Sequence, residues 1–101
     1  MLVKLTEICS NGAVTVGHKY KLREVFVNPE HVVLIREETR VRELNENGML
    51  NLPGTDTLNK SHRFSKLTIN RGHSGSEIVV VGAPDQVESS LKLNNRTVLR
   101  G

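Results

Sequence analysis

Aromatic residues are scarce in this sequence, and their scarcity decides what the core can be made of. The 101 residues contain no tryptophan, one tyrosine and two phenylalanines. Hydrophobic residues make up 37% of the chain and charged residues 25%, a balance typical of a folded protein rather than a disordered one. We therefore expect a single domain over residues 1–101 with a core of aliphatic side chains.

Cysteine and long apolar runs are also nearly absent, and this bears on where the protein works. Cys9 is the only cysteine, so no disulfide can form within the chain and no oxidising compartment is needed. No segment approaches the roughly 20 apolar residues of a membrane span. Lys4 and Glu7 place charge too early for a signal peptide. These features predict a cytoplasmic protein without a membrane partner.

The residue types that enzymes and metal sites use do not form a familiar motif here. The four histidines are widely spaced, whereas a zinc site usually contains closely spaced pairs of ligands. Cys9 lacks the neighbours that mark a catalytic cysteine, and the glycines do not have the spacing of a phosphate-binding loop. The sequence therefore predicts no catalytic residue, no metal site, no cofactor and no enzyme activity.

Short apolar segments with a two-residue period are present, and this period is typical of β-strands. Two of them, 64–70 and 77–81, flank a turn that contains glycine and predict a hairpin. The β-branched run 32–35 predicts a strand buried on both faces. Together the segments predict a mainly β (α+β) fold, with a small antiparallel sheet of four to five strands. The segments are 2–8, 20–27, 32–35, 64–70 and 77–81.

Phase changes and turn residues add detail to this prediction. The apolar positions of 20–27 change phase along the segment, which suggests a bulge or two shorter strands. Asn28 and Pro29 predict a single helical turn, since asparagine is a good N-cap and proline suits the first helical position. Pro84 and Asp85 predict the start of one C-terminal helix that would pack on the sheet.

The middle and the end of the chain carry no sustained apolar period. Residues 39–63 are rich in turn-forming residues such as asparagine, glycine and proline and are interpreted as a long polar loop, with a short helix over 40–45 left open. Residues 96–101 are interpreted as a flexible tail.

One series of segments resembles a known group of proteins. Phe26-Val27-Asn28-Pro29-Glu30-His31-Val32-Val33 is followed by Lys66-Leu67-Thr68-Ile69, a glycine turn, Ile78-Val79-Val80-Val81 and Asp85-Gln86-Val87-Glu88. This pattern is similar to small β-rich proteins encoded by bacteriophages and, more distantly, to the short flagellar SwrD type. The similarity covers roughly 24–91, with 39–63 as an insertion. It implies a small binding or regulatory protein, in the host cytoplasm if phage-encoded, and no catalytic residue.

Two functions remain open from the residues themselves. The first is a non-enzymatic module that binds a protein partner or assembles with itself, for which Val25, Phe26 and Val27 are the candidate interface because they cannot all face one core. The second is a nucleic-acid-binding protein whose basic residues form one positive stripe if their strands are neighbours. The residues of that stripe are Lys19, Lys21, Arg23, Arg63, Lys66 and Arg71.

Overall fold

A mainly β fold with helices on its sheet is confirmed. The computed structural model describes residues 2–10, 20–50, 52, 58, 61–71 and 74–93. In chain order these residues form five strands and two α-helices: β1 (Val3–Ser10), β2 (Tyr20–Val27), β3 (Val32–Glu37), α1 (Thr39–Glu46), β4 (Phe64–Arg71), β5 (Ser74–Val81) and α2 (Pro84–Leu93).

All strand pairs in the described part of the sheet are antiparallel, in the order β2-β1-β5-β4-β3. The predicted hairpin is formed by β4 and β5, which pair without interruption from Phe64 opposite Val81 to Arg71 opposite Ser74. β1 joins this hairpin to β2, so β5 is the central strand. The two edges of the sheet are therefore β2 and β3.

The aliphatic side chains form two clusters on opposite faces of the sheet. Leu5 and Ile8 are three residues apart in β1, so they point to opposite faces. Leu5 belongs to the cluster that α2 covers, and Ile8 belongs to the cluster that α1 covers. The first cluster contains Val3, Leu5, Val27, Leu67, Val80, Val87 and Leu91, and the second contains Ile8, Val41 and Phe64.

This two-sided arrangement explains the phase change in β2. Val25 packs against the first cluster, whereas Tyr20 and Leu22 pack against the second. The strand itself is continuous and pairs with β1 in one unbroken register, so the predicted bulge or division of β2 is wrong. A register shift occurs instead in β3, between Val32 and Leu34.

Helix α1 lies inside the segment 39–63, which the sequence predicts to be a long polar loop, and it agrees with the alternative of a short helix over 40–45. The Glu38 carboxylate accepts a hydrogen bond from the Val41 backbone N–H at 3.4 Å and caps the helix. Val41 is buried in the second cluster, and Leu50, after the helix, is partly buried against the same cluster. The sequence signal for this helix is weak, because the helix is mostly polar and only a small apolar surface of it contacts the sheet.

Helix α2 begins where it was predicted. Gly82 has a φ of +126°, which favours glycine, and an added Cβ would lie 3.3 Å from a methyl carbon of Val87. The Gln86 side-chain oxygen accepts a hydrogen bond from the Ala83 N–H at 3.0 Å, which satisfies a backbone group at the helix start. Val87 and Leu91 are buried on the sheet, as expected. The predicted tail 96–101 lies outside the described residues.

The two phenylalanines provide a matched test of this core. Phe64 is fully buried in the second cluster, whereas Phe26 is 58% exposed. We expect Phe64→Ala to lower the free energy of unfolding by about 3–5 kcal/mol, because it leaves a cavity between α1 and the sheet. Phe26→Ala should change it by less than about 1 kcal/mol. Urea unfolding followed by circular dichroism measures both, and equal losses would contradict this assignment of the core.

Candidate protein-binding edge

The edge strand β3 exposes aliphatic side chains that the sequence suggested were buried. Val33 is 64% exposed and Leu34 is 43% exposed, while Val32 and Ile35 pack against the first cluster. The interpretation of 32–35 as a strand buried on both faces is therefore wrong. The physical reason is its position: β3 lies at the edge of the sheet, and among the described residues it pairs only with β4.

Half of the backbone hydrogen-bonding groups of β3 face away from the sheet. Glu38 donates its N–H to the Phe64 carbonyl at 2.9 Å, which directs this group toward β4. Successive N–H groups of a strand point in opposite directions, so those of Glu37 and Ile35 point outward. An edge with unpaired N–H and C=O groups is a template for another strand.

A groove of about 480 Å³ runs between β3 and α2, on the face of the sheet that α2 covers. Aliphatic and proline side chains line most of it, and Asp85 and Glu88 of α2 are its charged residues. A strand added beside β3 would direct alternate side chains into this groove. The lining residues are Pro29, Val32, Val33, Leu34, Ile35, Pro84, Asp85, Glu88 and Leu91.

The opposite edge, β2, contains the three residues first considered as an interface. Val27 is buried and Val25 packs against the first cluster, so these two side chains serve mainly the core. Phe26 points to the other face and is mostly exposed. The three side chains do not share one surface, because consecutive strand residues alternate between faces.

The basic residues considered for nucleic-acid binding do not form one stripe in the described part of the chain. Lys21 and Arg23 are on β2 and Lys66 is on β4, and two strands lie between these in the sheet. Through the register, Arg23 shares a face with Glu7, whereas Lys66 points to the opposite face. Lys19 and the side chain of Arg71 lie outside the described residues.

Three of these basic side chains have carboxylate partners. The Arg23 Nε atom lies 2.9 Å from Oε1 of Glu7, whose side chain is largely buried. Lys66 Nζ lies 3.6 Å from Oε1 of Glu38. The partners of these cations were missed because each pair joins residues that are far apart in the sequence.

Arg63 forms the most extensive of these pairs. Its Nε atom lies 2.8 Å from Oε2 of Glu37, and its Nη2 atom lies 2.8 Å from Oε1 of the same carboxylate. Arg42 Nη1 of α1 lies 3.1 Å from Oε2. The hydrogen bond from Arg63, together with the charges of both arginines, lowers the pKa of Glu37. The cluster joins β3 and α1 to the residue that precedes β4, so its first role is structural.

Residues of the types that act in catalysis or metal binding are dispersed over the part of the chain that is described. There, no group of three or more histidine, cysteine, aspartate and glutamate side chains is placed to hold a metal ion. Cys9 is half-buried, and its thiol donates to the Lys21 carbonyl at 3.8 Å. None of the helices formed by these residues has the length and apolar character needed to cross a membrane.

Comparison with known proteins finds no match to a family model, to a curated protein or to a solved structure. The similarity to phage-encoded and SwrD-type proteins therefore stays a prediction.

The Glu37 cluster generates a pH-dependent prediction. A carboxylate whose pKa is lowered by folding stabilises the protein above its unfolded pKa of about 4.3, and this contribution is lost as the pH falls through the folded pKa. Glu37→Gln should therefore destabilise the protein near pH 7, and its difference from the parent should shrink below about pH 4. Urea midpoints between pH 7 and pH 3 measure this difference.

The control for that experiment is Glu77→Gln, on the exposed part of β5. It removes one carboxylate without touching the two arginines, so we expect its urea midpoint to stay close to that of the parent. A constant difference between Glu37→Gln and the parent over the whole pH range would show that the ion pairs do not hold the pKa down.

Proposed function

We propose that this chain is a non-enzymatic protein-binding module that receives an extended segment of a partner beside β3. The observation that carries the proposal is an edge strand with exposed aliphatic side chains, outward-pointing backbone groups and an adjacent groove. Strand addition uses these three features: main-chain hydrogen bonds provide affinity, and pockets for alternate side chains provide specificity.

The contrast between the two edges supports β3 as the binding edge. The outer part of β2 carries Lys21, Arg23 and Glu24, and charged side chains on an edge strand discourage the approach of another strand. β3 carries its charged residues, Arg36 and Glu37, only at its C-terminal end and exposes Val33 and Leu34 before them. Removing these two apolar side chains from water is favourable. A partner strand beside β3 removes this apolar surface from water.

The length of β3 sets the scale of the expected interaction. The strand has six residues, so an added strand of the same length forms only a few main-chain hydrogen bonds. An interface of this size belongs with weak or transient complexes rather than with obligate assemblies. This suits a binding or regulatory role in the cytoplasm, which would be the host cytoplasm for a phage-encoded protein.

The decisive variant places charge on β3. Val33→Lys/Leu34→Lys should leave folding intact, because both side chains are exposed, but should abolish capture of a partner from a nuclease-treated lysate. Met49→Lys, which adds one lysine where the β3 variant adds two, is the control, since Met49 is 62% exposed and lies outside the strands. Light scattering at two concentrations reports whether the captured partner is a second copy.

A third variant distinguishes the two edges. Phe26→Lys places one positive charge on an exposed apolar position of β2 and should leave capture unchanged. Loss of capture with Phe26→Lys alone, and retention with Val33→Lys/Leu34→Lys, would transfer the interface to β2 and refute the proposal.

Binding of nucleic acid is less well supported, because its basic residues lie on two faces and three of them are paired with carboxylates. A gel shift with labelled 20-nucleotide DNA and RNA at rising salt tests it. We expect no retarded band at 0.1 M salt. A band that weakens steeply with salt, and is lost in Lys21→Ala/Arg23→Ala, would favour nucleic acid over protein.

A further inference from the structure

The groove beside β3 has charges of one sign. Asp85 and Glu88 lie three residues apart on α2, are exposed, and face the groove together with Pro84 and Leu91. This spacing places them on one side of the helix. Among the described residues that line the groove, there is no lysine, arginine or histidine.

The cations near these carboxylates leave them accessible. Lys92 Nζ lies 3.3 Å from Oε2 of Glu88, but both side chains are more than half exposed, and such a pair on a helix surface is weak. The pKa of Arg63 is raised chiefly by its hydrogen bonds to Glu37 and to a smaller extent by the charge of Asp85, so Glu37 and not Asp85 is the main partner of this arginine. A further cation can therefore approach both carboxylates from the groove.

The other residues that line the groove determine which side chains of the partner fit beside that cation. Leu91 belongs to the first cluster and Ile35 packs against it, and Pro29 and Pro84 also line the groove. Side chains of an added strand repeat on one face every second residue, so those directed at α2 meet an apolar surface bordered by two carboxylates. Aliphatic side chains match the surface, and a lysine or arginine matches its border.

We infer that the segment received beside β3 is a cationic, aliphatic peptide in an extended conformation, with a lysine or arginine directed at Asp85 and Glu88. This inference rests on the proposed function and specifies its partner. Each exposed ion pair adds little affinity, but like charges at the same place oppose binding, so the carboxylates select against acidic segments. They also repel phosphate groups, which favours a peptide over a nucleic acid.

Two labelled peptides test the inference. Both have nine residues with valine at the five odd positions, and they differ only at the four even positions, which are lysine in one peptide and glutamate in the other. Fluorescence anisotropy at low salt should give a dissociation constant roughly tenfold lower for the lysine peptide. Asp85→Asn/Glu88→Gln should bring the two constants to within about twofold of each other.

The matched control is Glu24→Gln/Glu77→Gln, which changes the net charge by the same amount. These two residues lie on the sheet face opposite α2, as the register of β2 and β5 shows. The control should retain the preference for the lysine peptide. Circular dichroism of every variant verifies that α2 is still folded, since Asp85 lies in its first turn.

Each outcome separates the inference from the proposed function. Equal binding of both peptides, or a preference that persists in Asp85→Asn/Glu88→Gln, overturns the inference. If Val33→Lys/Leu34→Lys then abolishes the binding, the proposed function still stands. Absence of binding by either peptide overturns the inference, and the capture experiment with the β3 variant then decides the proposed function by itself.

Discussion

The coverage of the sheet from opposite sides is the constraint on which the rest of the structure depends. Aliphatic side chains point to both faces of β1 and β2, so one helix cannot shield them all from water. Helix α2 covers one face around Leu5, and α1 covers the other face around Ile8. This division fixes where each helix lies, and among the described residues no strand pairs with the outer edge of β3.

Polar contacts connect the two helices to the sheet. Glu37 joins β3 to Arg42 of α1 and to Arg63 before β4, so the helix is anchored to the strands that it covers. At the start of α2, the Gly82 N–H donates to the Arg63 carbonyl at 2.7 Å, and the Ser65 hydroxyl donates to the Gly82 carbonyl at 2.7 Å. Both helices are thus tied to the region around Arg63.

The same contacts change how the charged residues of the sequence are interpreted. In the sequence, Arg23, Arg63 and Lys66 suggest a basic surface, but each has a carboxylate partner from another segment. The charges that face the groove are instead acidic and come from α2. These charges beside β3 are the basis on which we propose a cationic protein segment, rather than a nucleic acid, as the partner.

The sequence by itself determined the elements with strong local signals. Two-residue alternation defined the β4–β5 hairpin, Asn28 and Pro29 defined a 3-10 turn at Pro29–His31, and Pro84 with Asp85 defined the start of α2. These signals act over a few residues and do not depend on neighbours in space. They were therefore sufficient for the mainly β class.

Only the tertiary structure decided which strands lie at the edges and which side chains meet. Val32–Ile35 has the composition of a central strand, but β3 is at an edge, because order in a sheet is set by contacts between distant segments. The pairing of Glu37 with Arg63 and the groove between β3 and α2 arise in the same way. Two-residue periodicity states which residues share a face, but not what lies opposite them.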